Sequence, residues 1–175
     1  TVRVSFAEAR PDAVLAMGQD YSFRRIPGAV TSNYALPVLH SVLNRLYVAD
    51  ARALCVVDCN ADSLVSTIPM VGISRPVPVL VPGLNKLYVF PQLPYAEIYV
   101  YDCLRDSVVR FIAQTTQMPC AVFDPRSNRI FFACEDAPSV RVLDPVHDVV
   151  VKTFSLGGGS KKGRKLGIYF QGMAS

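Results

Sequence analysis

Three five-residue runs constrain this chain more than anything else in it. They are Asn44-Arg45-Leu46-Tyr47-Val48, Asn85-Lys86-Leu87-Tyr88-Val89 and Asn128-Arg129-Ile130-Phe131-Phe132, and their starts lie 41 and 43 residues apart. Each is followed by an aspartate pair with three residues between: Asp58 and Asp62, Asp102 and Asp106, Asp144 and Asp148. Each unit then closes on a β-branched or aromatic pair, Thr67-Ile68, Phe111-Ile112 and Thr153-Phe154. Three markers in the same order and register mean that one structural unit is reused along the chain. The pattern also extends backwards. Val2 to Phe6 aligns with Asn44 to Val48, Asp20 with Asp62, and Ile26-Pro27 with Ile68-Pro69.

Units of about 40–45 residues built from short strands are the mark of a propeller blade. The fold class expected is therefore all-β: a β-propeller-like array of four-stranded antiparallel blades, one incomplete and three complete. The incomplete N-terminal blade covers 2–28 and lacks its first strand. The complete blades cover 29–72, 73–117 and 118–157, and 158–175 is expected to be a linker and tag remnant. Within a blade the strands are named a to d. Strand b runs over Arg45 to Ala49, Lys86 to Phe90 and Arg129 to Ala133. Runs such as Leu46-Tyr47-Val48, Ile98-Tyr99-Val100-Tyr101 and Ile130-Phe131-Phe132 are apolar at consecutive positions, which requires burial on both faces of the sheet. A blade held between two neighbours meets that condition.

Composition supports this and removes some functions. Half of the residues are hydrophobic (51%), enough for a sizeable core, and 13 prolines spread along the chain oppose long helices. No apolar run reaches the roughly 18–20 residues of a membrane-spanning helix. The formal charge of +4 comes from the tail, where Lys161, Lys162, Arg164 and Lys165 stand with no acid. The repeat body is neutral, with 14 basic and 14 acidic residues, so no nucleic-acid footprint is read. In that tail, Gly157-Gly158-Gly159-Ser160 is linker-like, and Tyr169-Phe170-Gln171-Gly172 resembles the end of a processing-protease site. Two alternatives stay open: a natural basic tail that docks on an acidic partner, or a strand over Leu166 to Phe170 that completes the N-terminal blade.

Chemistry-bearing residues are few. The aspartate pairs are expected to organise turns, since their oxygens accept backbone N–H bonds two residues on. The alternative is a cation held in each turn, but two carboxylates fall short of the six to eight oxygens calcium takes. Five cysteines show no C-x-x-C and no histidine at ligand spacing, so no metal site is expected. A Cys59–Cys103 bridge between blades is conceivable at equivalent positions, although it demands a short Cα separation. His40 lies in strand a, with Val81 and Val122 taken as its counterparts; it is expected to be a solvated or hydrogen-bonded imidazole. No phosphate loop or nucleophile motif is present. No catalytic residue, metal or cofactor is therefore expected.

Asn85 to Val89, Val56-Val57-Asp58 ending strand c, Thr67-Ile68-Pro69 ending strand d and a Gly72-to-Pro76 linker resemble the YVTN-type β-propeller repeat. The resemblance covers residues 2 to about 156. The chain departs from that pattern after Tyr-Val, where Ala49-Asp50, Phe90-Pro91 and Ala133-Cys134 stand. The resemblance implies a closed ring and a protein of the microbial cell surface or periplasm.

The leading functional expectation is a non-catalytic propeller segment that serves as a protein-binding or assembly scaffold. Its candidate contact surface is the lengthened b–c loop of the third blade, Pro91, Gln92, Leu93, Pro94 and Tyr95, because long loops on rigid scaffolds carry recognition. The expected partner is another protein or a second copy that completes the ring. Two alternatives remain: part of a lactonase-like or redox-cofactor-binding propeller whose active residues lie outside this chain, and a truncated or engineered blade array.

Overall fold

A computed structural model describes residues 3–4, 13–17, 22–26, 35–70, 75–92, 97–114, 117–135 and 138–156. The expected tail and its donated strand lie outside these residues, as do Leu93, Pro94 and Tyr95. The chain divides into two compact units, Thr1–Pro78 and Val79–Ser175.

All regular structure in the described residues is strand, apart from one short 3-10 turn at Pro82–Leu84. The first sheet has three strands, β1 (Arg3–Val4), β2 (Ala13–Met17) and β3 (Ser22–Ile26), in chain order. The second holds β4 (Leu36–His40), β5 (Arg45–Ala49), β6 (Ala53–Asp58) and β7 (Ser63–Pro69). The third holds β8 (Val77–Val81), β9 (Lys86–Phe90), β10 (Glu97–Asp102) and β11 (Ser107–Ala113). The fourth holds β12 (Ala121–Asp124), β13 (Arg129–Cys134), β14 (Ser139–Asp144) and β15 (Val149–Ser155). Each sheet is a meander of sequence neighbours, and no strand pairs outside its own repeat among the described residues. One three-stranded and three four-stranded sheets are the one incomplete and three complete blades that the repeat demands.

Strands b and c form the core because both of their faces are covered. In β5 and β6 every residue from Leu46 to Ala49 and from Ala53 to Val57 is buried. In the first unit Leu46, Val48, Cys55, Val57 and Cys59 cluster, with Ala35 and Leu64 packed against them. Fully burying such side chains contributes on the order of 1.5–3 kcal/mol each. Strand d differs. β7 alternates exposed and half-buried residues along its whole length, as an outer-edge strand must.

The three c–d hairpins are copies at the level of backbone geometry. In each, the register slips at the same place: between Val56 and Val57, between Val100 and Tyr101, and between Val142 and Leu143. The second aspartate of each pair adopts the left-handed conformation, with φ of 49° at Asp62, 50° at Asp106 and 57° at Asp148. The asparagine before each strand b does the same, at 49°, 50° and 51° for Asn44, Asn85 and Asn128. Asn and Asp are the non-glycine residues that enter this region most readily. The recurring letters of the repeat are therefore backbone requirements.

Candidate functional site

The paired aspartates divide their work. The first of each pair closes the turn. Asp58 Oδ1 accepts the N–H of Asn60 at 2.7 Å and of Ala61 at 3.0 Å. Asp102 Oδ1 accepts those of Leu104 and Arg105 at 2.9 and 3.1 Å, and Asp144 Oδ1 that of Val146 at 3.0 Å. These backbone donors, Ala61 before Asn60, hold the Asp58 carboxyl below the usual carboxylate range. At Asp144 the same displacement comes first from His147, whose Nδ1 lies 3.0 Å from Oδ2. Among the described residues no group of three or more His, Cys, Asp or Glu side chains is gathered as a metal site would need.

The second aspartate faces elsewhere. Asp106 accepts the Tyr101 hydroxyl of its own blade at 3.0 Å. Asp148 reaches across to the preceding blade of the same unit. Lys86 Nζ lies 2.9 and 2.8 Å from its two oxygens, and the Tyr88 hydroxyl donates to Oδ1. The Pro145 carbonyl accepts from Lys86 Nζ at 3.0 Å and, 3.1 Å from the Tyr88 oxygen, is a second acceptor within reach of that hydroxyl's single hydrogen. Proline is what stands there in place of Cys59 and Cys103, whose N–H groups donate to the carbonyls of Asn44 and Asn85. Tyr88 is fully buried, and burial together with the Asp148 carboxylate pushes its hydroxyl pKa strongly upward. Around this clasp Phe90 meets Phe132 with ring centroids 5.2 Å apart. Arg110 donates to the His147 carbonyl at 3.0 Å, and Arg141 bonds Gln114. The face of β8–β11 that carries Lys86, Tyr88 and Phe90 is thus bonded to β12–β15 by a polar rim around an aromatic centre.

The sequence-expected loop is partly described. Pro91 is buried and Gln92 half-buried, and Gln92 Nε2 donates to the Pro119 carbonyl at 3.1 Å. Gln92 therefore ties the start of the loop to the entry of the next blade; Leu93, Pro94 and Tyr95 lie outside the described residues.

His40 corrects an alignment. It pairs with Arg45 as Asp124 pairs with Arg129, so its counterpart in the fourth blade is Asp124, not Val122. The reason is turn length, since each residue stands four before the left-handed asparagine. The position closes the a–b turn in three ways. His40 Nδ1 accepts the Leu43 N–H at 3.4 Å. Asp124 accepts the Ser127 hydroxyl at 2.6 Å and the N–H groups of Arg126 and Ser127 at 3.1 and 3.2 Å. Between them in sequence, the 3-10 turn at Pro82–Leu84 closes with the Asn85 N–H on the Pro82 carbonyl at 3.1 Å. His40 is fully buried and hydrogen-bonded, the second of the two states expected for it.

Two features escaped the sequence. The inter-blade use of Asp148 carried no signal, because in one dimension it reads only as part of a turn-organising aspartate pair. Asp50 is the other: it is fully buried, and neither carboxylate oxygen has a hydrogen-bond partner. The equivalent positions hold the uncharged Pro91 and Cys134. None of the five cysteines is joined in a disulfide, the conceivable Cys59–Cys103 bridge included. Burial raises the thiol pKa of Cys59 and of Cys120.

Comparison with known proteins places this architecture. No family model and no curated protein matches the chain. Solved structures do. The dihydro-heme d1 dehydrogenase NirN superposes with a TM-score of 0.68 at 13% identity, over 83% of this chain and 33% of that one. The Pan2 WD40 domain of Neurospora crassa gives 0.61 at 14% identity, over 82% and 43%. The RRP9 WD40 repeats give 0.58 at 10% identity, over 89% and 44%. The chain spans less than half the length of each. At such identities the likeness concerns fold: the chain is an array of β-propeller blades.

Proposed function

We propose that this chain is a non-catalytic propeller segment that acts as a protein-binding or assembly scaffold. One observation carries the reading. Among the described residues the aspartates that a reaction could recruit are engaged in structure, Asp58, Asp102, Asp124 and Asp144 in turns and Asp148 with Lys86 and Tyr88 in the clasp, while the one unpartnered carboxylate, Asp50, is fully buried. Likeness to WD40 repeat structures supports the same direction. The recognition surface is the loop from Pro91 to Tyr95, anchored at Gln92. The test is a photoreactive residue at position 95, with a control at Val42, an exposed turn residue of the other unit. The expected result is cross-links from 95 that concentrate on one protein and vanish when Gln92 is replaced by Ala. Equal and scattered labelling from both positions would refute it.

The likeness to NirN favours a second reading, in which the chain is part of a cofactor-binding propeller enzyme. A visible absorption band that co-purifies stoichiometrically with the chain would decide for that reading.

A further inference from the structure

The charges of the second unit are sorted by depth. At the end of the sheets where strand a turns into b and strand c into d, three turns share one construction. Asp102, Asp124 and Asp144 each stand at the root of a turn and accept N–H groups from residues two or three places on. The carboxylate is turned inward, and the residues two and three places on form the tip. These are Leu104-Arg105, Arg126-Ser127 and Val146-His147, all exposed. Leu104 is 63% exposed and Val146 51%, and the side chains of Arg105 and His147 are 77% and 71% exposed. The second aspartates lie no nearer to solvent. Asp106 is half-buried on the Tyr101 hydroxyl, and Asp148 is buried in the clasp. Among the described residues this end therefore presents apolar and basic side chains to solvent and no exposed acid.

Both blades of the unit present these turns at the same end. The c–d turn of β14 and β15 meets the start of β9, where Lys86 bonds the Pro145 carbonyl and Asp148. Gln92 meets Pro119 at the other end, where the exposed charges of the described residues are Glu97 and Glu135. The turn construction does not itself demand basic or bulky tips. In the first unit Asp58 accepts from Asn60 and Ala61, and neither of those is basic or large. The tips of the second unit are therefore free to serve recognition, and their backbones are already fixed by the aspartates, so little ordering is lost on binding.

We propose that this end of the second unit binds an acidic peptide segment of another protein, with apolar side chains against Leu104 and Val146 and carboxylates on Arg105 and Arg126. Charge decides the kind of occupant. Lys86 is matched by Asp148 and Arg129 by Asp144, and Asp102 lies 3.7 Å from the Arg105 guanidinium. Little net charge therefore stands behind the basic outer layer. Nucleic acid and anionic lipid draw their affinity from many cations acting together, lipid surfaces from clusters of about four to eight. Two exposed arginines beside two apolar tips fit a partner that places carboxylates and apolar groups one by one, as a peptide does. The proposal rests on the scaffold reading and adds to it a second contact face, at the end of the blades away from Gln92.

The experiment is selection of phage-displayed random peptides on the full chain, followed by fluorescence anisotropy of the selected peptides. The expected peptides are rich in Asp and Glu with Leu or Phe among them, and bind in the micromolar range. Arg105→Gln combined with Arg126→Gln weakens them roughly tenfold, the sum of two exposed ion pairs, with unchanged far-UV circular dichroism. Glu135→Gln, at the other end, leaves binding as it was. Should the double substitution disturb folding, Leu104→Ser reads the same face and weakens binding roughly fivefold. Selected peptides without acidic residues, or acidic peptides whose binding survives both changes, overturn the proposal. Phosphatidylserine vesicles and single-stranded DNA are the competing probes; binding of either that needs Arg105 and Arg126, with no acidic peptide selected, overturns it as well. No selected peptide, with the position-95 cross-links retained, would sink this face alone and leave the scaffold reading standing.

Discussion

Replacing Asp148 by Asn tests whether the blades of the second unit are held by a shared carboxylate. The substitution keeps the size of the side chain and a residue that tolerates φ of 57°, as Asn44, Asn85 and Asn128 show. What it removes is the charge that pairs with Lys86 and receives the Tyr88 hydroxyl. Lys86 is 21% exposed and Asp148 12%, so the pair lies between a surface ion pair, worth about 0–1 kcal/mol, and a buried one, whose disruption costs about 3–5. The Pro145 carbonyl still accepts from Lys86 and can take the Tyr88 hydroxyl hydrogen, which limits the loss. The expected cost is about 2 kcal/mol, the middle of the range for hydrogen bonds to charged groups. Urea unfolding followed by circular dichroism provides the assay, since the chain has no tryptophan. A double-mutant cycle with Tyr88→Phe should return a coupling of about 1 kcal/mol. No loss at Asp148, together with zero coupling to Tyr88, would refute the reasoning.

Three further outcomes follow from the same geometry. The Tyr88 hydroxyl has its pKa raised on folding, so its contribution is complete below the ordinary tyrosine value of about 10 and is lost as pH rises beyond it. Wild type should destabilise steeply above that pH, and Tyr88→Phe should flatten the slope; identical slopes contradict this. Asp50→Asn replaces a buried, unpartnered carboxylate by an amide that costs less to bury, and should raise stability by about 1–2 kcal/mol in urea at pH 7. A loss of stability would mean that the carboxylate is held by something essential. Native protein should expose few thiols to Ellman's reagent at pH 8, with slow reaction at Cys59 and Cys120, and all five in denaturant without reductant. Fewer than five in denaturant would reveal a disulfide.

The fold was legible because its repeat is written in residues with backbone duties. Asn44, Asn85 and Asn128 announce a left-handed turn before strand b, and Asp58, Asp102 and Asp144 announce an Asx turn after strand c. The continuous apolar run at β5 announced burial on both faces, whereas those at β10 and β13 overstated it, since Tyr99 and Phe131 are half-buried. The clasp was not legible. The second aspartate of each pair reads in sequence as a turn residue, and no motif assigned Asp148 a partner in another blade. His40 was misread because its counterparts differ in chemistry while serving the same turn: an imidazole, an aspartate and a 3-10 turn. Loop residues Leu93 to Tyr95 drew attention by length and proline content, which say nothing of what they contact.

Cross-strand nuclear Overhauser effects in isotope-labelled protein test the central claim most directly. Blades that each pair only within one repeat predict contacts between Tyr47 and Val56, Tyr88 and Val100, and Phe131 and Val142, with none joining β7 to β8 or β11 to β12. Contacts joining those strands into one continuous sheet would contradict the account.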